Sequence, residues 1–222
     1  MPFFRKKKKE VRMTMRGCPC DVNTSKCLIM AAEKKVKLEV QVLDVKGGAA
    51  DENAFRALSP FGKHPYLEEG DFSTSSVNAV LAFLDVRGEG GLSNPAKAQL
   101  FGQQNYWSQI ARTKCEPALK VLVDVNVYGE AGDTDAACAT INTALDALND
   151  FIDNKEYIVG EYSFADVHWT AVAHLLTVAG AEEAITSRSN LSAWFNRVKA
   201  RPSYGALPSL DEMKNKQLRS VA

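Results

Sequence analysis

Residues 59–71 are Ser-Pro-Phe-Gly-Lys-His-Pro-Tyr-Leu-Glu-Glu-Gly-Asp, and this stretch decides the fold. Its first half is rich in proline and glycine, which favour turns. Tyr66 and Leu67 begin a β-prone run, and Gly70-Asp71 is a pair typical of hairpin turns. The stretch therefore predicts a turn, a strand and a hairpin.

The segments around this stretch complete a small α/β unit. Residues 11–15 are β-prone, residues 24–35 have the apolar spacing of a helix, and residues 38–45 alternate as a strand. After the hairpin, a further helix is predicted from Ser76 to about Leu84. The first part of the chain thus begins as a βαβ unit and continues through a hairpin into a helix.

A change in composition marks the end of this unit. Residues 87–95 contain three glycines and a proline, as linkers do. The periodicity that follows is helical, with helices predicted at about 98–127, 133–153 and 191–200. We therefore divide the chain into a basic N-terminal tail (1–10), an α/β domain (11–86), a linker (87–95) and an all-helical domain (96–222).

One further helix start is marked by side chains. Ser163-Phe-Ala-Asp166 has the spacing of a capping box, in which the serine and the carboxylate exchange hydrogen bonds with each other's backbone. Ser163 and Asp166 are thus structural residues of a helix ending near Ala179. We expect Asp166→Ala to cost roughly 1–2 kcal/mol of stability.

The charge balance excludes several classes of function. The chain has 27 Lys and Arg against 27 Asp and Glu, so no overall field favours binding to nucleic acid. Its longest uncharged stretch, 167–181, is too short to span a bilayer and contains two histidines. The odd number of cysteines, five, argues against a disulfide framework and favours the cytoplasm or another reducing compartment.

The basic tail is a separate feature. Arg5 to Lys9 form an uninterrupted basic run, and residues 1–10 lack the apolar core of a secretory signal. Such a run is usually a solvated tail, and the alternative is contact with an anionic surface.

Three separated motifs carry a resemblance to a known family. They are the 59–65 stretch before its Glu-Gly-Asp turn, the 163–166 box after Tyr157-Ile-Val-Gly160, and Trp194-Phe195 before Arg201-Pro202. In order and spacing they resemble the glutathione S-transferase superfamily over residues 11–208. The resemblance implies a thioredoxin-like N-terminal domain followed by a helical C-terminal domain. The C-terminal half also resembles the transferase-like domain of the gamma subunit of the eukaryotic elongation factor, which is a scaffold.

The resemblance also implies a glutathione site. In the family, the proline matching Pro65 is cis, and the backbone of the preceding residue, here His64, pairs with the cysteinyl part of glutathione. Lys63 lies beside them. The positions that hold the γ-glutamyl carboxylate fall on Ser76 and Val77, where most of the family has Glu-Ser or Gln-Ser. The loss of that serine hydroxyl predicts weak binding, by about ten- to a hundredfold.

The catalytic position departs from the family as well. Residues 17–24 resemble the phi-type active-site loop without gaps, and the catalytic serine falls on Asp21. An ionised carboxylate cannot donate a hydrogen bond to the glutathione sulfur, and two unit charges ~4 Å apart repel by about 4 kcal/mol at an effective dielectric of ~20. The alternative is that Asp21 caps the following helix.

Cysteine chemistry is a competing possibility at the same loop. Cys18 and Cys20 flank a proline, and cysteine replaces serine in the thiol-transferring branches of the family. A helix N-terminus would favour such a thiolate, whereas Asp21 opposes it. Zinc would need a histidine near these cysteines, and His64 is the one candidate, so we predict no metal site.

Two hypotheses of different class follow. The first is a transferase-like protein with a degenerate glutathione site, weakly active or non-conjugating, that serves as a binding module or a subunit of an assembly. The second is an active enzyme, which conjugates glutathione to a small electrophile or transfers thiols through Cys20. The resemblance further implies a homodimer or another protein partner.

Overall fold

The fold was determined from a computed structural model that describes residues 12–18, 21–42 and 55–214. Cys20, the basic tail and residues 43–54 lie outside the described residues.

A four-stranded sheet forms the first part of the chain. Its strands are β1 (Met13–Gly17), β2 (Glu39–Val42), β3 (Tyr66–Glu69) and β4 (Phe72–Ser75), in the order β2-β1-β3-β4. β1 pairs with β2 in parallel and with β3 antiparallel, and β3 and β4 form the predicted hairpin around Gly70-Asp71. Every described strand therefore lies in the predicted α/β part.

Two helices pack against this sheet, α1 (Val22–Glu33) and α2 (Val77–Arg87), and a short helical turn covers residues 55–58. Both helices begin within three residues of the predicted starts, and α2 continues beyond the predicted end at Leu84. The shared core of α1, α2, β1 and β3 contains fully buried Met15, Leu67 and Leu81.

The rest of the described chain is helical. Its elements are α3 (Ala98–Ile110), a π-helical segment (Ala111–Cys115), α4 (Glu116–Asn126), α5 (Thr134–Phe151), α6 (Phe164–Val178), α7 (Glu183–Thr186), α8 (Ser189–Lys199), a 3-10 segment (Pro202–Ala206) and α9 (Leu210–Lys214). This order confirms the predicted fold class, a thioredoxin-like α/β part followed by an all-helical part.

One predicted helix is interrupted. The continuous helix expected at 98–127 is divided by the π-helical segment, which ends two residues before Pro117. Proline lacks an amide hydrogen, and its ring clashes with the carbonyl of the residue four positions earlier, here Thr113. A local widening of the helix accommodates that clash, so the prediction of an uninterrupted helix was wrong for a reason visible in the sequence.

Helix α6 belongs to both hydrophobic cores. Trp169, Val172 and Leu176 pack in the core of the helical part, whereas Val167 and Ala171 pack with the sheet and α1. One helix with two buried faces couples the two parts of the chain. The predicted boundary at residues 87–95 stays a prediction, although residues 88–97 form neither helix nor strand.

The capping box at the start of α6 is confirmed and extended. The Asp166 carboxylate accepts from the Ser163 amide at 2.9 Å and the Ser163 hydroxyl at 3.1 Å. Its other oxygen accepts from the Ile158 amide at 3.1 Å and from Trp194 Nε1 at 2.9 Å. Asp166 is fully buried, so it joins α6 to α8 and to the preceding loop.

Ion pairs also join the two parts. Arg201 Nε and Nη2 each donate to the Glu33 carboxylate at 2.7 Å, and the guanidinium lies 3.8 Å from the Tyr162 ring centroid. These contacts fix the C-terminal end of α1 to the helical part. Within the described residues, no helix combines the length and the apolar character that crossing a membrane requires.

Candidate functional site

The loop between β1 and α1 carries the first group of predicted site residues. Gly17 ends β1, and a Cβ atom there would lie 2.6 Å from Thr24 Oγ1, so glycine allows the strand and the helix to approach. Cys18 follows and is buried, with 1% of its surface exposed. Its carbonyl accepts from the Asp21 amide at 2.9 Å, which closes the loop just before α1.

Asp21 is the N-cap residue of α1. Its Oδ2 accepts from the Asn23 and Thr24 amides, both at 3.1 Å, in the extended conformation usual for an N-cap. The negative charge at the helix N-terminus is also favoured by the helix dipole. The capping role that the sequence left as the alternative is therefore present in the structure.

The second group lies in the loop before β3. The Ser59 hydroxyl accepts from the Lys63 amide at 3.0 Å and donates to the Lys63 carbonyl at 2.8 Å, which shapes residues 59–63 into a closed turn. The His64-Pro65 peptide bond is cis, as predicted, and Pro65 is buried. Lys63 itself is exposed.

His64 and Asp21 meet across the two loops. His64 Nδ1 lies 3.5 Å from Asp21 Oδ2, and the two side chains are 29% and 17% exposed. The contact is too long for a strong hydrogen bond, so its attraction is mainly electrostatic. The Asp21 carboxylate raises the pKa of His64 despite partial burial, because it stabilises the imidazolium form.

A cavity of about 360 Å³ opens beside this pair. Cys18, Asp21 and His64 line one end, and α4 supplies apolar side chains including Leu119 and Val123. The size and the largely apolar lining suit a small organic molecule held by a few polar groups at one end. The structure thus brings together three residues that are separated by up to 46 positions in the chain.

Charged residues that the sequence analysis did not identify complete this cavity. Arg112 comes from the π-helical segment, and Glu116 begins α4. Lys120 and Asp124, which also line it, form an ion pair of 2.7 Å with each other. Pro117 marked the helix irregularity, but no local pattern indicated that Arg112 or Glu116 faces the loop at Asp21.

Glu116 belongs to a buried charged group between α1, α4 and α6. Lys26 Nζ donates to its carboxylate and, at 3.2 Å, to Asn23 Oδ1, and His168 Nδ1 lies 4.0 Å from Glu116 Oε1. Burial lowers the pKa of Lys26 and lowers that of His168 to about 4. Burial opposes ionisation of Glu116, yet its interactions with His168 and Lys26 hold its pKa below the ordinary value.

The third predicted group lies at the start of α2. β3 and β4 pair Glu69 with Phe72 and Tyr66 with Ser75, so the hairpin has no inserted residue and α2 begins at Val77. Ser76 is the N-cap, with φ of 80° and no side-chain capping bond. Val77 is 8% exposed and packs in the core of the sheet. The contacts of Lys63, His64, Pro65, Ser76 and Val77 with glutathione stay predictions.

Three of the five cysteines are buried, Cys138 is half-buried, and Cys20 is not described. Cys27 and Cys115 are fully buried, and burial raises the pKa of the Cys115 thiol to about 12. Cys18 is buried in the loop, and Cys20 lies outside the described residues. In the ranges that the structure describes, no three His, Cys, Asp or Glu side chains are grouped so as to hold a metal ion.

Comparisons with known proteins agree with this architecture. No protein-family model matches the chain. It is 25% identical over 203 residues to a glutathione S-transferase of Silene vulgaris, with 86% of this chain and 94% of that protein covered. It is 28% identical over 197 residues to glutathione S-transferase F14 of Arabidopsis thaliana, with 81% and 76% covered.

Solved structures extend the likeness to three dimensions. Glutathione S-transferase-I bound with the ligand lactoylglutathione superposes with a TM-score of 0.80 at 18% identity, covering 90% of this chain and 99% of that one. The similarity spans the α/β part and the helical part together, in the order that the sequence motifs predict. The chain therefore has the fold of the glutathione transferases and is similar to them in sequence over most of its length.

Proposed function

We propose that this protein is a glutathione transferase-like protein with a degenerate glutathione site, which binds glutathione weakly and conjugates it weakly or not at all. Such a protein serves as a binding module or as a subunit of a larger assembly, either as a homodimer or with another protein. The observation that supports this proposal is the role of Asp21. Its carboxylate caps α1 at the position where the family resemblance predicts a serine hydroxyl.

Electrostatics explains why this substitution weakens conjugation. The thiolate is the nucleophile, and a hydroxyl that donates to the sulfur stabilises it. An ionised Asp21 instead repels a thiolate ~4 Å away by about 4 kcal/mol at an effective dielectric of ~20, which corresponds to about three pKa units. The cationic side chains elsewhere in the cavity have partners of their own: Lys120 forms an ion pair with Asp124, and Arg112 donates a hydrogen bond to Gln109.

A second candidate is an active transferase. The observation in its favour is His64, because an imidazolium 3.5 Å from Asp21 offsets part of the carboxylate charge. The cavity beside them has the volume and apolar lining to accept a small electrophile. Thiol transfer through cysteine has less support, since Cys18 is 1% exposed.

The test compares Asp21→Ser with the wild type. Serine is as good an N-cap as aspartate, so α1 keeps its cap while the site loses a negative charge and gains a donor. We expect conjugation of glutathione to a generic aryl halide to rise at least tenfold, which needs only ~1.4 kcal/mol of transition-state stabilisation. Retention on glutathione-agarose, measured in parallel, reports binding separately from chemistry.

A matched control is available in α5. Asp133 caps that helix by accepting from the Ala136 amide at 2.9 Å, and Asp133→Ser makes the same chemical change away from the cavity. This control should leave conjugation unchanged. If the wild type is already active, and Cys20→Ala abolishes activity while Asp21→Ser has no effect, the protein is a cysteine-type thiol transferase and the proposal is wrong.

A further inference from the structure

We propose that His64, held by Asp21, is the side chain that ionises the thiol of bound glutathione in this protein. The inference rests on the proposed glutathione site and assigns its sulfur-activating group. Any conjugation that the protein retains then depends on His64, and Asp21 acts as a positioning residue.

The geometry supports an oriented imidazole. Asp21 Oδ2 is fixed by the amides of Asn23 and Thr24, so the carboxylate has a set position relative to the cavity. His64 Nδ1 lies 3.5 Å from that oxygen and is inaccessible to solvent, although the side chain as a whole is 29% exposed. The exposed part of the side chain therefore lies away from Nδ1, and we assign Nε2 as the nitrogen that meets a molecule in the cavity.

The position of His64 in the chain places it next to the sulfur. It directly precedes the cis Pro65, and the superfamily resemblance assigns its backbone to the cysteinyl part of glutathione. Its side chain lines the same cavity as Cys18 and Asp21. The backbone would thus hold the cysteine residue of glutathione while the imidazole of the same residue faces the thiol.

The charges around His64 favour this role. The Asp21 carboxylate raises the pKa of the imidazole above its ordinary value, which makes His64 a stronger base towards the thiol. On its own loop the neighbouring charge is Lys63, and on the loop after β1 the neighbouring titratable group is Cys18. Four charged residues stand across the cavity: Arg112, Glu116, Lys120 and Asp124. Lys120 is paired with Asp124, and Glu116 is paired with Lys26.

The proton transfer balances without another reactant. The S–H bond of glutathione breaks, its electron pair stays on sulfur, and its proton moves to Nε2 of the neutral imidazole. The product is a thiolate beside an imidazolium whose Nδ1–H points to Asp21. Asp21 thus stabilises the imidazolium, as the carboxylate does in acid, histidine and nucleophile triads.

This role is compatible with a gain of activity in Asp21→Ser. Removing the carboxylate removes the negative charge that repels the thiolate, and it also removes the group that raises the pKa of His64. The gain expected for Asp21→Ser therefore requires that the lost repulsion outweighs the weakening of the base. Asp21→Ser therefore tests the carboxylate of the pair, and His64→Gln, described next, tests the imidazole.

The first experiment measures the pKa of the bound thiol from the ultraviolet absorbance of the thiolate, as a function of pH. In His64→Gln we expect that pKa to rise by ~1 unit or more, because the imidazolium partner is lost. Lys199→Gln removes one positive charge from the exposed face of α8 and should leave the thiol pKa unchanged. Binding of S-methylglutathione, which has no thiol, should be equal in the wild type and in His64→Gln.

A second measurement uses the wild-type protein, so that it stands even if His64→Gln does not fold. The pKa of His64 is followed by the NMR signals of its ring carbons and protons. Glutathione should raise that pKa further, whereas S-methylglutathione should not.

The outcomes separate the two proposals. Two results would show that His64 does not ionise the thiol, and either would overturn only this inference. In the first, S-methylglutathione binds but the thiol pKa is the same in the wild type and in His64→Gln. In the second, glutathione and S-methylglutathione shift the His64 pKa equally. If S-methylglutathione does not bind to the wild type, the glutathione site itself is refuted, and this inference with it.

Discussion

Asp166→Ala is the substitution whose cost the structure allows us to estimate in most detail. The carboxylate accepts four hydrogen bonds, from the Ser163 amide, the Ser163 hydroxyl, the Ile158 amide and Trp194 Nε1, and it is fully buried. A buried donor that loses its partner costs ~1–3 kcal/mol, and these losses overlap because the donors share one cavity. We therefore expect a destabilisation of about 3–5 kcal/mol, more than the roughly 1–2 kcal/mol expected for a capping box alone.

Urea unfolding measures this prediction, with Asp133→Ala as the matched control. Asp133 also caps a helix, but it is exposed and accepts one hydrogen bond from the Ala136 amide, so its loss should cost about 1 kcal/mol. The reasoning is refuted if Asp166→Ala lowers the free energy of unfolding by no more than Asp133→Ala does. In that case the contacts of Asp166 with Ile158 and Trp194 would contribute nothing to stability.

Three further predictions concern the ligand and the buried charges. Titration calorimetry should give a millimolar affinity for glutathione, because Val77 offers no hydroxyl and Asp21 repels the thiolate. A micromolar affinity would contradict this prediction and favour the active-enzyme hypothesis. The contribution of His168 to stability should fall as the pH decreases from about 6.5 through its pKa of about 4, since the unfolded state binds the proton that buried His168 does not; Asp166, whose pKa burial raises to about 6, acts in the opposite direction. The loss of stability attributable to His168 is ~3 kcal/mol, and it should be absent from the pH profile of His168→Gln. Identical slopes of stability against pH in the wild type and in His168→Gln would contradict this prediction. Lys26→Met should destabilise by ~3 kcal/mol or more, because it leaves Glu116 buried without its cation, whereas Lys26→Met combined with Glu116→Leu should recover most of that loss in a thermal or urea melt.

Local sequence chemistry determined most of the architecture. The alternating strands, the Gly70-Asp71 hairpin and the helical periodicity after residue 95 depend on neighbouring residues, and each was found near the expected residues, apart from the interruption of the helix at 98–127. The capping box was also predictable, because all its backbone partners lie within one helical turn. The capping position of Asp21 is local for the same reason.

The resemblance placed Asp21 and His64 in one site, and the tertiary structure decided their contact and the charged residues around them. Asp21 and His64 are brought to 3.5 Å by the packing of β1 against β3 and by the loop before Pro65, and neither residue's neighbours in sequence indicate the other. Lys26 would ordinarily be expected at the surface, yet it is fully buried against Glu116, 90 positions away. The sequence therefore determined which elements form and which side chains could act, because helices, strands and caps depend on short-range periodicity and hydrogen bonding. The charge balance at the cavity was decided by the fold, because burial and long-range pairing set the pKa values and no local pattern encodes them.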